Sequence, residues 1–191
     1  MAQNLLTDAT GFPTICDTVY ASVVPDERGQ AAILYWARCL TYGQPLTLLD
    51  WRVEQLTAGT WAKVEDDLAA VKPRVRYGTS GMHIEGEALA QQAILRGASA
   101  KAIPDHLTKP EYWNNLWLIA GQYVDDGSVK LTRPAALKIR TSPAGFGALP
   151  RRAPGPRGDD ATVPAWLYGI VLGLDPASAE PPDPARVKVV A

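Results

Sequence analysis

Residues 31–40 read AAILYWARCL and residues 46–56 read LTLLDWRVEQL. The first run is apolar and aromatic almost throughout, and the second alternates in its latter half. Apolar runs of this length, rich in aromatic and β-branched residues, predict strands rather than helices. Residues 41–44, TYGQ, read as the turn between them, so the pair forms an antiparallel hairpin. Working outward, residues 4–22 read as a lead-in followed by a strand, and PDERG at 25–29 as another turn. On the other side, WAKVEDDLAAV at 61–71 has helical spacing, with Trp61, Val64, Leu68 and Val71 on one face, and Pro73 stops it.

The chain then alternates. A strand is expected within 74–85, interrupted by Gly78-Thr79-Ser80-Gly81. A helix follows at 87–96, with Gly97 placed to end it. A short strand is expected at 98–104 and a helix at 110–124, with Trp113, Leu116, Trp117 and Ala120 on one side. Residues 128–131 are a short extended piece, 141–158 a loop dense in Pro, Gly and Arg, and 162–174 the last helix, which tolerates Pro164 in its first turn. Antiparallel strands first and alternating units afterwards predict an α/β domain with a mixed sheet and helices packed on it, the element order of an RNase H-like fold. One domain is expected over 1–175, with a flexible tail over 176–191 (SAEPPDPARVKVVA from 178).

Composition narrows the function classes. The 191 residues are 47% hydrophobic with a net charge of −1, so bulk charge announces no nucleic-acid partner. Its distribution says more: residues 129–158 contain no acid, yet carry Lys130, Arg133, Lys138, Arg140, Arg151, Arg152 and Arg157. Such a block suits phosphate contacts, or is simply a solvated basic loop. Cys16 and Cys39 sit in apolar runs and read as small core residues rather than ligands or a disulfide framework. No signal peptide and no membrane-length apolar run is evident, so a soluble protein of a reducing compartment is expected. There is no GxxxxGK[ST] segment for a nucleotide. The two histidines, His83 and His106, have no partner at zinc spacing and support no Ser-His-Asp arrangement. His83 is expected to cover the sheet face opposite any site.

What remains is a set of separated acids. Asp17 closes an apolar run, Glu85 follows Met82-His83-Ile84, and Asp159-Asp160 opens the last helix. Burying a carboxylate in an apolar strand costs several kcal/mol unless it is paired or binds a metal. Bland readings exist for each: a turn acid for Asp17, a helix-dipole acid for the Glu85/Glu87 pair, an N-cap for one of Asp159 and Asp160. Glu87 sits deeper in the helix and fits the dipole reading better, leaving Glu85 as the ligand and Glu87 as the alternate. Asp50 is expected to be structural, paired with Arg52 or a neighbouring strand. Acids gathered from distant parts of one α/β domain are what two-metal phosphodiester hydrolysis needs, with hard oxygens holding Mg²⁺ or Mn²⁺.

These segments together resemble the nuclease domain of phage terminase large subunits. Thr14-Ile15-Cys16-Asp17-Thr18-Val19-Tyr20 followed by Ala31-Ala32-Ile33-Leu34-Tyr35-Trp36 resembles its first two strands, in which an Asp-Thr-Ala ends the first. Leu48-Leu49-Asp50-Trp51-Arg52 looks like its third strand, and Ile84-Glu85-Gly86 with Leu89 its second acidic motif. Lys109 before the Trp113 helix, Asp126-Gly127-Ser128-Val129-Lys130-Leu131, and Gly158-Asp159-Asp160-Ala161-Thr162-Val163 are similar to its later motifs. The chain departs from the pattern in a compressed second motif and in Pro164 where an Asp is expected. The family's upstream ATPase motor is also missing, so an isolated nuclease domain or the product of a split gene is expected.

The resemblance implies a metal-dependent endonuclease that cuts concatemeric viral DNA during genome packaging. It implies two Mg²⁺ or Mn²⁺ ions on Asp17, Glu85 and Asp159 or Asp160, with Asp17, Glu85 and Asp160 as the catalytic set. Lys109 and the basic block would contact double-stranded DNA. The implied partners are an ATPase motor domain, the portal and the small terminase subunit, in the host cytoplasm, with no membrane. Alternatives are another RNase H-like nuclease such as a Holliday-junction resolvase, or a catalytically silent DNA-binding packaging domain.

Overall fold

The computed structural model describes residues 7–39, 44–71, 80–141 and 161–175; the expected tail over 176–191 lies outside them. Six strands form one sheet in the order β5-β4-β1-β2-β3-β6. They are β1 (Thr18–Pro25), β2 (Gln30–Cys39), β3 (Gln44–Gln55), β4 (Ser80–Ile84), β5 (Ala100–Ala102) and β6 (Val129–Leu131). β2 is antiparallel to β1 and β3, while β4 pairs with β1, β5 with β4 and β6 with β3 in parallel. This is the mixed sheet expected, with the β2–β3 hairpin at its heart and a register shift between Tyr35 and Trp36.

The first strand differs from expectation. It begins at Thr18, one residue after the Asp that was expected to close a strand. Phe12 and Cys16 pack into the core outside any named strand, and Pro13 forms an isolated bridge with Thr7. The true strand reads TVYASVVP, and its six inner residues are all buried, as a strand covered on both faces requires.

Helices supply the covers. α1 (Thr60–Val71) and α2 (Glu87–Leu95) lie on one face, where Trp61, Val64, Leu68, Ala90 and Ala93 pack with Val19, Ala21, Val23, Ile33 and Tyr35. The α1 stripe is the one expected from its spacing. The other face is covered by α4 (Trp113–Asp125) and α6 (Thr162–Leu174), packed with Tyr20, Val24, Leu34, Trp36, Leu46 and Leu48. Two further helices, α3 (Asp105–Thr108) and α5 (Arg133–Thr141), were not expected from the sequence.

α6 is the central cover, with ten of its thirteen residues buried. It approaches the sheet closely: a Cβ on Gly169 would lie 2.3 Å from Trp36 Nε1, and one on Gly173 2.3 Å from the Tyr20 hydroxyl. Tyr20 Oη donates to the Gly169 carbonyl (2.5 Å) and Ser22 Oγ to the Ala165 carbonyl (2.8 Å), while Trp36 Nε1 donates to Ser22 Oγ (3.0 Å). Two residues of strand span about 6.6 Å and four residues of helix about 6 Å, so the two hydroxyls and the two carbonyls match. The order of these contacts makes α6 antiparallel to β1, and its first turn lies at the Val24 end.

Candidate functional site

Glu85 follows directly on β4. Its amide donates to the Val23 carbonyl (2.9 Å), which places it level with Val24 in the parallel β1–β4 register. Gly86, at φ 98°, then turns the chain sharply into α2, a conformation that suits glycine. The Glu85 carboxylate accepts a hydrogen bond from Tyr168 Oη of α6 (3.1 Å). The end of β4 and the first half of α6 therefore meet at one corner of the molecule. Glu87 is exposed on α2, where its carboxylate accepts from Gln91 Nε2 (3.0 Å); it behaves as the helix acid.

Asp17 is not at this corner. Its amide donates to the Arg38 carbonyl (2.7 Å), which continues the β1–β2 ladder one step below Thr18. Counting seven residues back from Val24 at ~3.3 Å each puts Asp17 roughly 20 Å from Glu85. No pair of ions ~4 Å apart can bridge that gap, so the expected convergence of Asp17 with Glu85 is corrected: a strand boundary one residue off moved the acid to the opposite end of the sheet. The β1 residue actually level with Glu85 is Val24, which is fully buried.

Asp26, in the turn after β1, does lie at the Glu85 end. Its sequence context marked it only as a turn residue, and its Oδ1 accepts from the amides of Arg28 (2.9 Å) and Gln30 (2.7 Å). Among the described residues, no three His, Cys, Asp or Glu side chains form a group able to hold a metal ion. Asp159 and Asp160 lie outside the described residues. They directly precede Ala161 and Thr162, where α6 begins.

The basic residues divide. Lys109 is exposed in the connection after β5, on the Glu85 end of the sheet, because Ile103 continues β5 alongside Ile84. Lys130 and Arg133 are exposed at β6 and the start of α5, across the sheet from β4. Four strand spacings of about 4.8 Å separate them from Glu85. Lys138 is engaged in an ion pair with Asp50. Asp50 is thus structural, as expected, but with Lys138 as its partner. Arg52 pairs instead with Glu54 and Asp67. Arg151, Arg152 and Arg157 lie outside the described residues, as does the side chain of Arg140.

His83 corrects a further expectation. It pairs with Ser22 in register and sets its ring edge-on to Tyr20 at 5.7 Å, on the α6 side of the sheet. That is the same face as Glu85, two residues on. Burial, then the positive charges of Lys101 and Arg38, lower its pKa to about 4, so it is neutral at pH 7. Two residues that the sequence did not single out therefore bear on this face, Tyr168 and Lys101. Tyr168 gave no signal beyond its place in an apolar helix, and its partner is 83 residues away. Cys16 is a buried core residue, as expected, and Trp36, Trp51, Trp61, Trp113 and Trp166 are core. No described helix is long and apolar enough to cross a membrane.

No family model and no curated protein matches this chain. Solved structures do. The large terminase of a thermophilic bacteriophage, in complex with ATP-γ-S, is 12% identical with a TM-score of 0.55, covering 90% of this chain and 43% of its own. The human cytomegalovirus terminase nuclease domain, soaked with Mn and inhibitor-bound, is 11% identical with a TM-score of 0.46, covering 85% of each chain. The yeast mitochondrial Holliday junction resolvase Ydc2 is 10% identical with a TM-score of 0.39, covering 86% of this chain and 83% of its own. This chain thus spans under half the length of the phage protein. At such identity the likeness is one of architecture: the chain shares the fold of part of the phage large terminase, an RNase H-like mixed sheet flanked by helices.

Proposed function

We propose that this chain is the nuclease domain of a terminase-type packaging enzyme, cutting concatemeric double-stranded viral DNA with Mg²⁺ or Mn²⁺. The observation that carries the reading is the corner built by Glu85 and α6. An acid at the end of β4 is held by Tyr168, and the helix that holds it begins, at the same end, directly after Asp159-Asp160. Glu85 with Asp159 or Asp160 would hold the metal, and Asp17 takes no part. The chemistry supplied by bound ions is activation of water and stabilisation of the leaving 3′ oxygen. Tyr168 fixes the Glu85 carboxylate, and Lys109, on the same end, would meet phosphate. Arg151, Arg152 and Arg157, just ahead of the Asp pair in sequence, would position DNA without reading bases. A motor ATPase, a portal and a small terminase subunit are the partners this role requires, in the host cytoplasm.

One observation favours a second reading. The buried Val24 occupies the β1 position level with Glu85, so β1 itself supplies no carboxylate there, and the nearby Asp26 is engaged by the Arg28 and Gln30 amides. A domain that binds DNA without cutting it would have this composition. Nicking of supercoiled plasmid separates the two. Cleavage with Mn²⁺ that EDTA abolishes supports the nuclease. Salt-sensitive DNA binding with no cleavage in Mg²⁺ or Mn²⁺ supports the silent domain, and neither activity removes both.

A further inference from the structure

On the face that carries α6, the helix packs over β1, β2 and β3, and Lys101 on β5 is left exposed. A cavity of about 230 Å³ opens at this edge, lined by Thr18, Tyr20, Gly81, His83, Ser99 and Lys101 among others. Its floor exists because residue 81 has no side chain: a Cβ there would lie 3.1 Å from the Ser99 carbonyl. No carboxylate among the described residues lines it. Arg38 stands behind Thr18, its NH2 group 3.4 Å from Thr18 Oγ1, and its buried Nε has no hydrogen-bond partner among the described residues. A buried guanidinium N–H without an acceptor is costly, and a second cation at the rim raises the positive field further. Hydroxyls of Thr18, Ser80 and Ser99 add polar groups around the opening. Lys101 at the rim and Arg38 behind Thr18 supply positive charge and the hydroxyls neutral donors, while the nearest acid on a lining residue, Glu65, is taken up by the Ser99 amide (2.5 Å).

We infer that this cavity binds a phosphate group, held by Lys101 and the hydroxyls of Thr18, Ser80 and Ser99, with the charge of Arg38 behind Thr18 favouring the anion. Two sources share that chemistry: a backbone phosphate of DNA, and free phosphate or a mononucleotide. DNA as the source rests on the function proposed above. Gly81 lies four residues from Glu85 along β4, about 13 Å, or roughly four steps of a DNA strand at ~3.4 Å each. A strand engaged at Glu85 therefore reaches the cavity within one binding footprint.

The test uses the full 191-residue chain, with Lys101→Ala, Lys101→Glu and the charge-keeping Lys101→Arg. Binding of a fluorescent duplex is followed across salt, and inorganic phosphate is titrated separately with the Ser99 and Lys101 amide NMR signals as the readout. For a DNA source, Lys101→Ala lowers duplex affinity several-fold at fixed salt and reduces the salt slope by about one. Lys101→Glu lowers affinity further and Lys101→Arg restores it. If the wild-type chain binds no DNA, the packaging reading fails, and the phosphate titration then decides: Lys101-dependent shifts keep the site with a small-molecule source, and none overturns it. DNA binding that all three variants leave unchanged, with no phosphate shifts, also overturns it.

Discussion

β1 and β4 lie side by side, and their two ends carry opposite chemistry. At one end stand Glu85, the Asp26 turn and the beginning of α6. Toward the other, the same pair of strands borders a cavity rimmed by Lys101 and backed by Arg38, with His83 kept neutral between them. Asp17, an acid, sits at the basic end. An acid beside a strand therefore says little until the register shows which end it occupies, since seven residues of strand separate bridging distance from no contact at all.

The sharpest test of this polarity replaces the two acids in turn. Glu85→Gln is expected to reduce metal-dependent plasmid nicking by at least about 100-fold, since losing even a group that only orients a metal ligand costs about 10–100-fold, while Asp17→Asn changes it less than about twofold. A loss at Asp17 in a folded variant would break the comparison. His83 offers the next test, read as stability. Its folded pKa lies below its unfolded value, so the unfolded state binds more protons between about pH 6.5 and 4. Stability present above that window is lost as pH falls through it, by at most about 3 kcal/mol. Urea titrations at pH 7 and pH 4.5 should show part of that drop, and His83→Gln should remove it.

Tyr168→Phe deletes only the hydroxyl that holds Glu85. A roughly tenfold weaker Mn²⁺ dependence of nicking is expected, with little change in melting temperature. Unchanged Mn²⁺ dependence would show that α6 does not set the acid's position. The smallest effect is expected from Glu87→Ala, an exposed acid at the same end as Glu85. Nicking within about twofold of wild type would confirm that the corner depends on where a carboxylate points, not on its proximity in sequence.

The parts legible in the sequence were those fixed by local burial. The runs at 31–40 and 46–56 could only be buried strands, and the Trp61, Val64, Leu68 stripe marked one face of α1. The place of Glu85 in the fold was readable because a short strand, a glycine and a helix start succeed one another there. Asp17 misled because Phe12 and Cys16 are apolar for packing while the strand begins only at Thr18, and an apolar run does not reveal where its ladder starts. α5 went unread: it opens Arg133-Pro134, and Ala135 is the residue it buries deeply, so no apolar stripe announces it. The separation of Lys130 and Arg133 from Glu85 follows from strand order, which depends on distant pairings that no window of sequence contains.

The matched spacing of hydroxyls on β1 and carbonyls on α6 has a mechanical consequence. Tyr20 and Ser22 grip the helix at points one helical turn apart, and the Trp36 ring is seated in the notch left by Gly169. Tension applied along α6 is thus borne by these contacts in parallel, as shear, so they must fail together rather than peel one by one. Sliding of α6 along the sheet is resisted as by a toothed rack, and the Glu85 carboxylate that Tyr168 holds is kept from creeping with it.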